Sequence, residues 1–451
     1  MIQKILKSAF ALILTVLILP ASGQKNLLQS GPMTGYSEML EVMLWVQTTE
    51  QAKVKIRYTN TKDAEDQHWT NTVLTQKETA YTAHLLADQV TPGNHYTYDL
   101  YINNKKIALD YACKFETLEL WQWRTEPPAF SFATGSGTFI NDEKYDRPGD
   151  GYGGDYQIFQ SITEDKPNFM LWLGDNTYLR EPDWNTMTGI QHRNTHTRST
   201  KEMQPLLAQM HNYAIWDDHD FGPNNSDKGF PFKNMTLEAF KQFWANPSYG
   251  VGDTKGAISY FNWNDCDFFL LDNRYHRDPN KRIMPNKTML GEEQKEWLKD
   301  ALVFSKANFK FVVMGGQFLT TSGMFETYTN YGFLQERAEL IEFIHQHKLS
   351  NVVFVTGDRH HSEVSVLDRA GFPNIYDITI SPLTSHHASK HDNEVNALRV
   401  PGSLINARNY AIFNLSGTYK ERQLHIVFYD SDGKELYNYS IDKYKKENQS
   451  H

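Results

Sequence analysis

The sequence predicts an α/β protein in two folded parts, a small N-terminal β-sandwich followed by a longer layered α/β domain. Three observations predict it. Short β-rich runs separated by turn residues fill residues 40–117, apolar strands alternate with helical segments beyond Phe130, and several later strands end in acidic or histidine-rich clusters. A chain of 451 residues with 40% apolar and 22% charged side chains has ample core material and no bias towards disorder. With only Cys113 and Cys266, a disulfide scaffold and a cysteine-built zinc site are both excluded. A net charge of −9 argues against nucleic acid as the main partner, because phosphate-backbone binding needs a basic face.

The first residues read as an address. Lys4 and Lys7 precede the apolar run 9–19, and Pro20-Ala21-Ser22-Gly23 supplies small residues for cleavage before Gln24. That run falls short of the roughly 20 apolar residues a membrane span needs. Residues 1–23 are therefore expected to be a signal peptide, leaving an exported periplasmic or secreted protein with no stable membrane anchor. Losing the two lysines takes the charge from −9 to −11.

Residues 24–117 form the expected sandwich domain. Its runs are 40–48, 53–59, 79–86, 96–102 and 107–116, divided by turn signals such as Pro92-Gly93-Asn94 and Asn103-Asn104. The passage from Leu85-Leu86 through Pro92-Gly93 to Tyr96-Thr97-Tyr98 resembles the loop and tyrosine-rich strand of Ig/fibronectin-type modules. Residues 118–129 form a linker, with Trp121 and Trp123 expected to pack between the domains. The remainder, 130–451, carries strands over 130–134, 169–173, 212–216, 266–271, 309–314 and 351–356, and helices over 155–163 and 292–304.

The ends of these strands carry the chemistry. The second ends in Gly174-Asp175, the third in Asp217-Asp218-His219-Asp220, and the last in Gly357-Asp358-Arg359-His360-His361. Ligands in layered sheets bind where strands end, since loops there gather polar groups without burying unpaired backbone. Taken singly, each cluster reads as a turn or an exposed loop. Taken together, that many carboxylates at one sheet edge need compensation, and bound cations supply it. Oxygen-rich donors suit hard ions such as Ca²⁺, Mg²⁺, Mn²⁺ or Fe³⁺, and histidine extends the choice to Fe²⁺ and Zn²⁺.

The order of these blocks, with Gly315-Gly316-Gln317 between them, resembles the calcineurin-like metallophosphoesterase superfamily, and the wording of 171–178 and 216–220 resembles its alkaline phosphatase D (PhoD-like) family. The resemblance implies a four-layer α/β/β/α catalytic domain behind an N-terminal sandwich. It also implies phosphomonoester or phosphodiester hydrolysis by hydroxide activated on two or more metal ions, drawn from Ca, Fe, Mn or Zn, with a small phosphoester as partner. Asp175, Tyr178, Asp218, Asp358 and His360 would hold metal, Gln317 stands where relatives place a ligand histidine, and His219 would protonate the leaving group with Asp217 or Asp220 orienting it. Gly137 stands where this family has a cysteine ligand, so a changed metal preference is expected, with Asp142 or Asp146 available to lend oxygen. Arg193, Arg198, His192 and His196 are the nearest candidates for substrate binding, though the segment 191–200 reads equally well as a solvated basic helix start. Arg359 is expected to pair with a local acid and His361 to be as much structural as catalytic. The competing class is a noncatalytic binding or surface-interaction protein with a degenerate metal site; a phospholipid or nucleotide ester is the alternative substrate. Oligomeric state has no signal in the sequence.

Overall fold

The computed structural model describes residues 27–387 and 394–444. The expected signal peptide, 1–23, lies outside them. Two sheets form the centre. The first has nine strands in the order Glu435–Asp442, Gln423–Asp430, Asn409–Ser416, Phe130–Gly135, Phe169–Leu173, His211–Ile215, Leu28–Ser37, Val42–Thr48 and Thr82–Ala87. The second has six, Ser259–Trp263, Cys266–Leu270, Phe309–Met314, Val352–Thr356, Ile375–Thr379 and Glu363–Leu367.

The middle strands of both sheets run parallel. Their sequences, such as FMLWL and FKFVVM, are apolar almost throughout because both faces are covered. Between the sheets, Phe132 packs with Phe169, Phe413 and Phe311 at ring centroid distances of 5.0, 4.7 and 5.3 Å. Outside the first sheet, Ile158, Phe159, Leu206 and Phe240 from helices cover Trp172 and Trp216. Outside the second, Leu298, Leu302, Leu340 and Ile344 cover Val312 and Phe354. The layers therefore run helix, sheet, sheet, helix, and the parallel strands deliver their C-terminal ends to one edge.

A third sheet, built on Lys53–Asn60 and His95–Ile102, packs Val54, Ile56 and Leu100 against Val42, Leu44 and Leu85 of the first. The strand Leu28–Ser37 is the joint. It pairs antiparallel with Val42–Thr48 and parallel with His211–Ile215, so the N-terminal residues share a sheet with the central strands. Sequence patterning did not show this strand, because Gly31-Pro32 and Gly35 break its alternation and its pairing shifts register three times. The region 107–113 is irregular, and only Lys114–Glu116 is strand. Trp121 meets Tyr419 at 6.3 Å, whereas Trp123 is 99% exposed, which corrects the expectation that both pack between domains. Cys113 and Cys266 are both free thiols.

Candidate metal centre

Five loops at the strand ends build the centre, and glycine lets them approach. A Cβ on Gly174 would lie 2.8 Å from the Asp217 backbone N and Cβ, and one on Gly315 would lie 2.5 Å from Asp217 Cγ. One on Gly357 would lie 2.6 Å from Ser136. Asp175, Asp358 and His360 have φ of 51°, 68° and 54°, a left-handed backbone that costs a non-glycine residue energy and concentrates at functional sites.

The acids converge. One ligand atom each from Asp175, Asp218 and His219 lie within 4.8 Å of one another, as do atoms from Asp217, Asp218 and Asp358. Tyr178 donates its hydroxyl to Asp175 Oδ2 at 3.1 Å, and its ring lies 4.4 Å from that of His219. Asp218 Oδ2 accepts the Asn225 N–H at 2.5 Å. Asp217 Oδ2, Asp218 Oδ1 and His219 Nδ1 are buried without a hydrogen-bond partner. Burial first, and then the charges of the neighbouring aspartates, push Asp175 and Asp358 well above the usual carboxylate range. Asp218 is held at about 2 against its burial by His219, Arg274 and the Asn225 N–H. Burial lowers His219 and raises the Tyr178 phenol.

Such a set is unstable with itself and suited to cations. Like-charged carboxylates in low dielectric repel, and unpaired buried acceptors each cost free energy. A divalent or trivalent ion removes both penalties, and carboxylate, phenol and imidazole donors match hard to borderline metals. His360 lies outside the two compact groups, but its Nδ1 bonds the His386 carbonyl. That contact orients the imidazole beside the acids.

Other expected residues have different work. Asp220 accepts the backbone N–H groups of Asn176, Thr177 and Asp217 at 3.2, 2.9 and 3.0 Å, so it braces the Asp175 loop instead of orienting His219. Asp217 is bonded by Arg274 Nε and Asn273 Nδ2, and it does not hold His219 either. Gln317 donates to Glu363 and Thr379 and accepts from Arg359, which spends its amide away from the acids and corrects its reading as a ligand. Arg193 is buried between Asp183 (2.9 Å) and Asp146 (3.0 Å), and Arg198 is buried 3.8 Å over the Trp244 ring. His192 pairs with Asp142, and His196 bonds the Asn141 carbonyl. These contacts give the four structural partners and weigh against their reading as substrate-binding groups, and Asp142 and Asp146 are engaged as well. Arg359 pairs with Glu394 at 2.5 Å, as expected, and His361 is buried 3.7 Å from Glu363.

Two contributors were not legible in the sequence. Arg274, 1% exposed, bridges Asp217 and Glu326 and neutralises one flank of the acids; a lone arginine after a strand carries no spacing signal. Ser385 Oγ lies 2.8 Å from where a side chain at Gly137 would begin, so a hydroxyl fills that corner. The glycine's φ of 74° would strain any side chain restored there.

Stacked sheets whose strand ends gather acids, a phenol and histidines define a layered α/β fold of the kind found in solved phosphatases. The chain belongs to the PhoD-like phosphatase family, whose model matches residues 143–420. A second model, described as a domain of unknown function (DUF7800), matches residues 25–119. The chain is 25% identical over 358 residues to the alkaline phosphatase D of Bacillus subtilis (strain 168), covering 67% of this chain and 58% of that relative. The match thus spans less than two thirds of the relative's length. Among solved structures, PhoD superposes with a TM-score of 0.72 at 18% identity, covering 94% of this chain and 93% of that one. A purple acid phosphatase from yellow lupin (Lupinus luteus) seeds superposes at 0.64 with 10% identity, covering 92% and 74%.

Proposed function

We propose that this protein is an exported, metal-dependent phosphoric ester hydrolase acting on small phosphomonoesters or phosphodiesters. The observation that carries this reading is the cluster of buried carboxylates in which Asp217 Oδ2 and Asp218 Oδ1 have no hydrogen-bond partner, set beside His219. Asp175, Tyr178, Asp218, Asp358 and His360 would hold two or more metal ions. Bound there, the ions supply Lewis acidity and charge neutralisation for a phosphoryl group.

The chain's own residues do the rest. Tyr178 packs against the His219 ring at an interplanar angle of 31°, and the Asp175 carboxylate accepts the His219 backbone N–H at 3.3 Å. His219, so placed, donates the proton that the departing alkoxide needs. Arg274 holds Asp217 in place, and Asp220 holds the 175–177 loop. The cleft over the acids is about 360 Å³, room for a phosphate and part of its alcohol.

Residues 1–23 direct export in this reading, residues 24–117 form an Ig/fibronectin-like sandwich joined through 118–129, and 130–451 carry the chemistry. No helix among the described residues is long and apolar enough to cross a membrane. The test is protein stripped with chelator and reloaded with Ca²⁺, Mn²⁺, Fe³⁺ or Zn²⁺. Hydrolysis of a chromogenic phosphoester should return with at least one of them, and inactivity with all would refute the proposal. Gly137, which brings no donor atom, favours one second reading, a binding protein with a degenerate site. Metal-free, folded protein with unchanged ligand binding in His219→Ala would support it.

A further inference from the structure

Beside the acidic cleft lies a larger groove of about 980 Å³, and the two share Tyr152, His219 and Asn224. Arg180 lines the larger groove and not the cleft over the acids. Five other arginines around the centre are paired: Arg147 with Glu181 at 2.8 Å, Arg193 with Asp183, Arg274 with Asp217 and Glu326, Arg277 with Glu326, and Arg359 with Glu394; Arg198 has no carboxylate either among the described residues, but it is buried over the Trp244 ring and lines neither groove. Arg180 is different. Among the described residues no carboxylate lies within ion-pair distance of it, and its buried Nε has no hydrogen-bond partner. Its guanidinium is propped 4.7 Å from the Phe139 ring and 5.8 Å from the Tyr178 ring, which sets its direction. In a chain with nine more acids than bases, a half-buried guanidinium left without an acceptor is costly, and the fork geometry suits a carboxylate or phosphate.

Building on the hydrolase reading, we infer that Arg180 anchors a second anionic group, carried on the leaving-group side of the substrate. The phosphoryl group belongs over the acids. An anion at Arg180 is therefore attached to the portion that departs past His219, into the groove walled by Phe139, Tyr152 and Trp184. The preferred substrate class is a phosphoester whose alcohol bears its own carboxylate or phosphate.

Two esters differing in one group test this, phenyl phosphate and 4-carboxyphenyl phosphate, using the metal-reloaded full chain. The ratio of their kcat/KM values should favour the carboxylated ester by roughly tenfold, the scale of one charge-assisted hydrogen-bond pair. It should fall towards unity in Arg180→Gln, be partly kept in Arg180→Lys and shrink with added salt. A ratio near unity in the unaltered protein, or an equal fall for both esters in Arg180→Gln, overturns the inference. Calorimetric titration with 4-hydroxybenzoate reads the subsite without turnover: binding should weaken about tenfold in Arg180→Gln. If neither ester is hydrolysed, the hydrolase reading fails, and the titration alone decides Arg180, with equal binding by both proteins counting against it.

Discussion

Two regions of this molecule bury charge, and they do it in opposite ways. In the helix Met187–Arg198, Arg193 is 1% exposed and its guanidinium is held by two carboxylates. At the strand ends, Asp175, Asp217 and Asp218 are equally buried, yet an oxygen of Asp217 and one of Asp218 have no partner and face other acids. Compensated burial holds a fold together. Burial of several like charges with only Arg274 to offset them favours a bound cation, so the second region is the proposed site and the first its scaffold.

Removing a carboxylate from the uncompensated region should have the largest effect. Asp175→Asn should lower phosphoesterase activity by more than the roughly 10–100-fold lost with a mere supporting partner of a metal ligand, and bound metal should fall with it. Activity retained within a few-fold would place Asp175 outside the centre. His219→Ala should lower kcat about 100-fold or more while metal content stays constant. Loss of metal in this variant would make His219 a ligand instead of the proton donor.

The compensated region should answer in stability. Arg193→Met leaves Asp183 buried, and Asp146 partly buried, without their cation, and denaturant titration should show a loss of about 3–5 kcal/mol with metal content unchanged. A stable, inactive variant would return Arg193 to the substrate-binding groups. The smallest effect belongs to Asp377, a fully buried acid outside both regions. Burial raises it to about 6, although it accepts the N–H groups of Phe318 and Leu319 and the Thr356 hydroxyl. Its folded-state pKa exceeds its unfolded one, so its contribution is complete below about pH 4 and is lost as pH rises through 6. Relative to Asp377→Asn, the unaltered protein should therefore lose up to ~3 kcal/mol of stability between pH 4 and 6.5, at about 1.4 kcal/mol for each pH unit crossed. A pH-independent difference between the two proteins would mean that Asp377 does not titrate in this range.

The strands Phe169–Leu173 and Phe309–Met314 were legible because a strand covered on both faces is a short, unbroken apolar run. The acids were legible for a related reason, since each stands directly after such a run. Arg193 and Arg198 were misread because what decides a charged side chain's role is its partner. Asp146, Asp183 and Trp244 arrive from other loops and helices at separations that sequence patterning does not measure. Gln317 and Asp220 show the same limit. Position along the chain put both at the centre, and their hydrogen bonds turn one towards Glu363 and the other towards the backbone. Arg180 escaped notice because its distinguishing property is an absence of partners, visible only once every nearby acid is placed.

If the acid cluster exists to hold metal, elemental composition after dialysis should show it. The comparison is between the purified protein and an Asp175→Asn, Asp218→Asn double variant. At least one tightly held metal ion per chain is expected in the unaltered protein and none in the variant, with both folded. Folded, unaltered protein that retains no metal after exposure to Ca²⁺, Mn²⁺, Fe³⁺ and Zn²⁺, or a variant that retains as much as the parent, would contradict a metal-holding role for these acids.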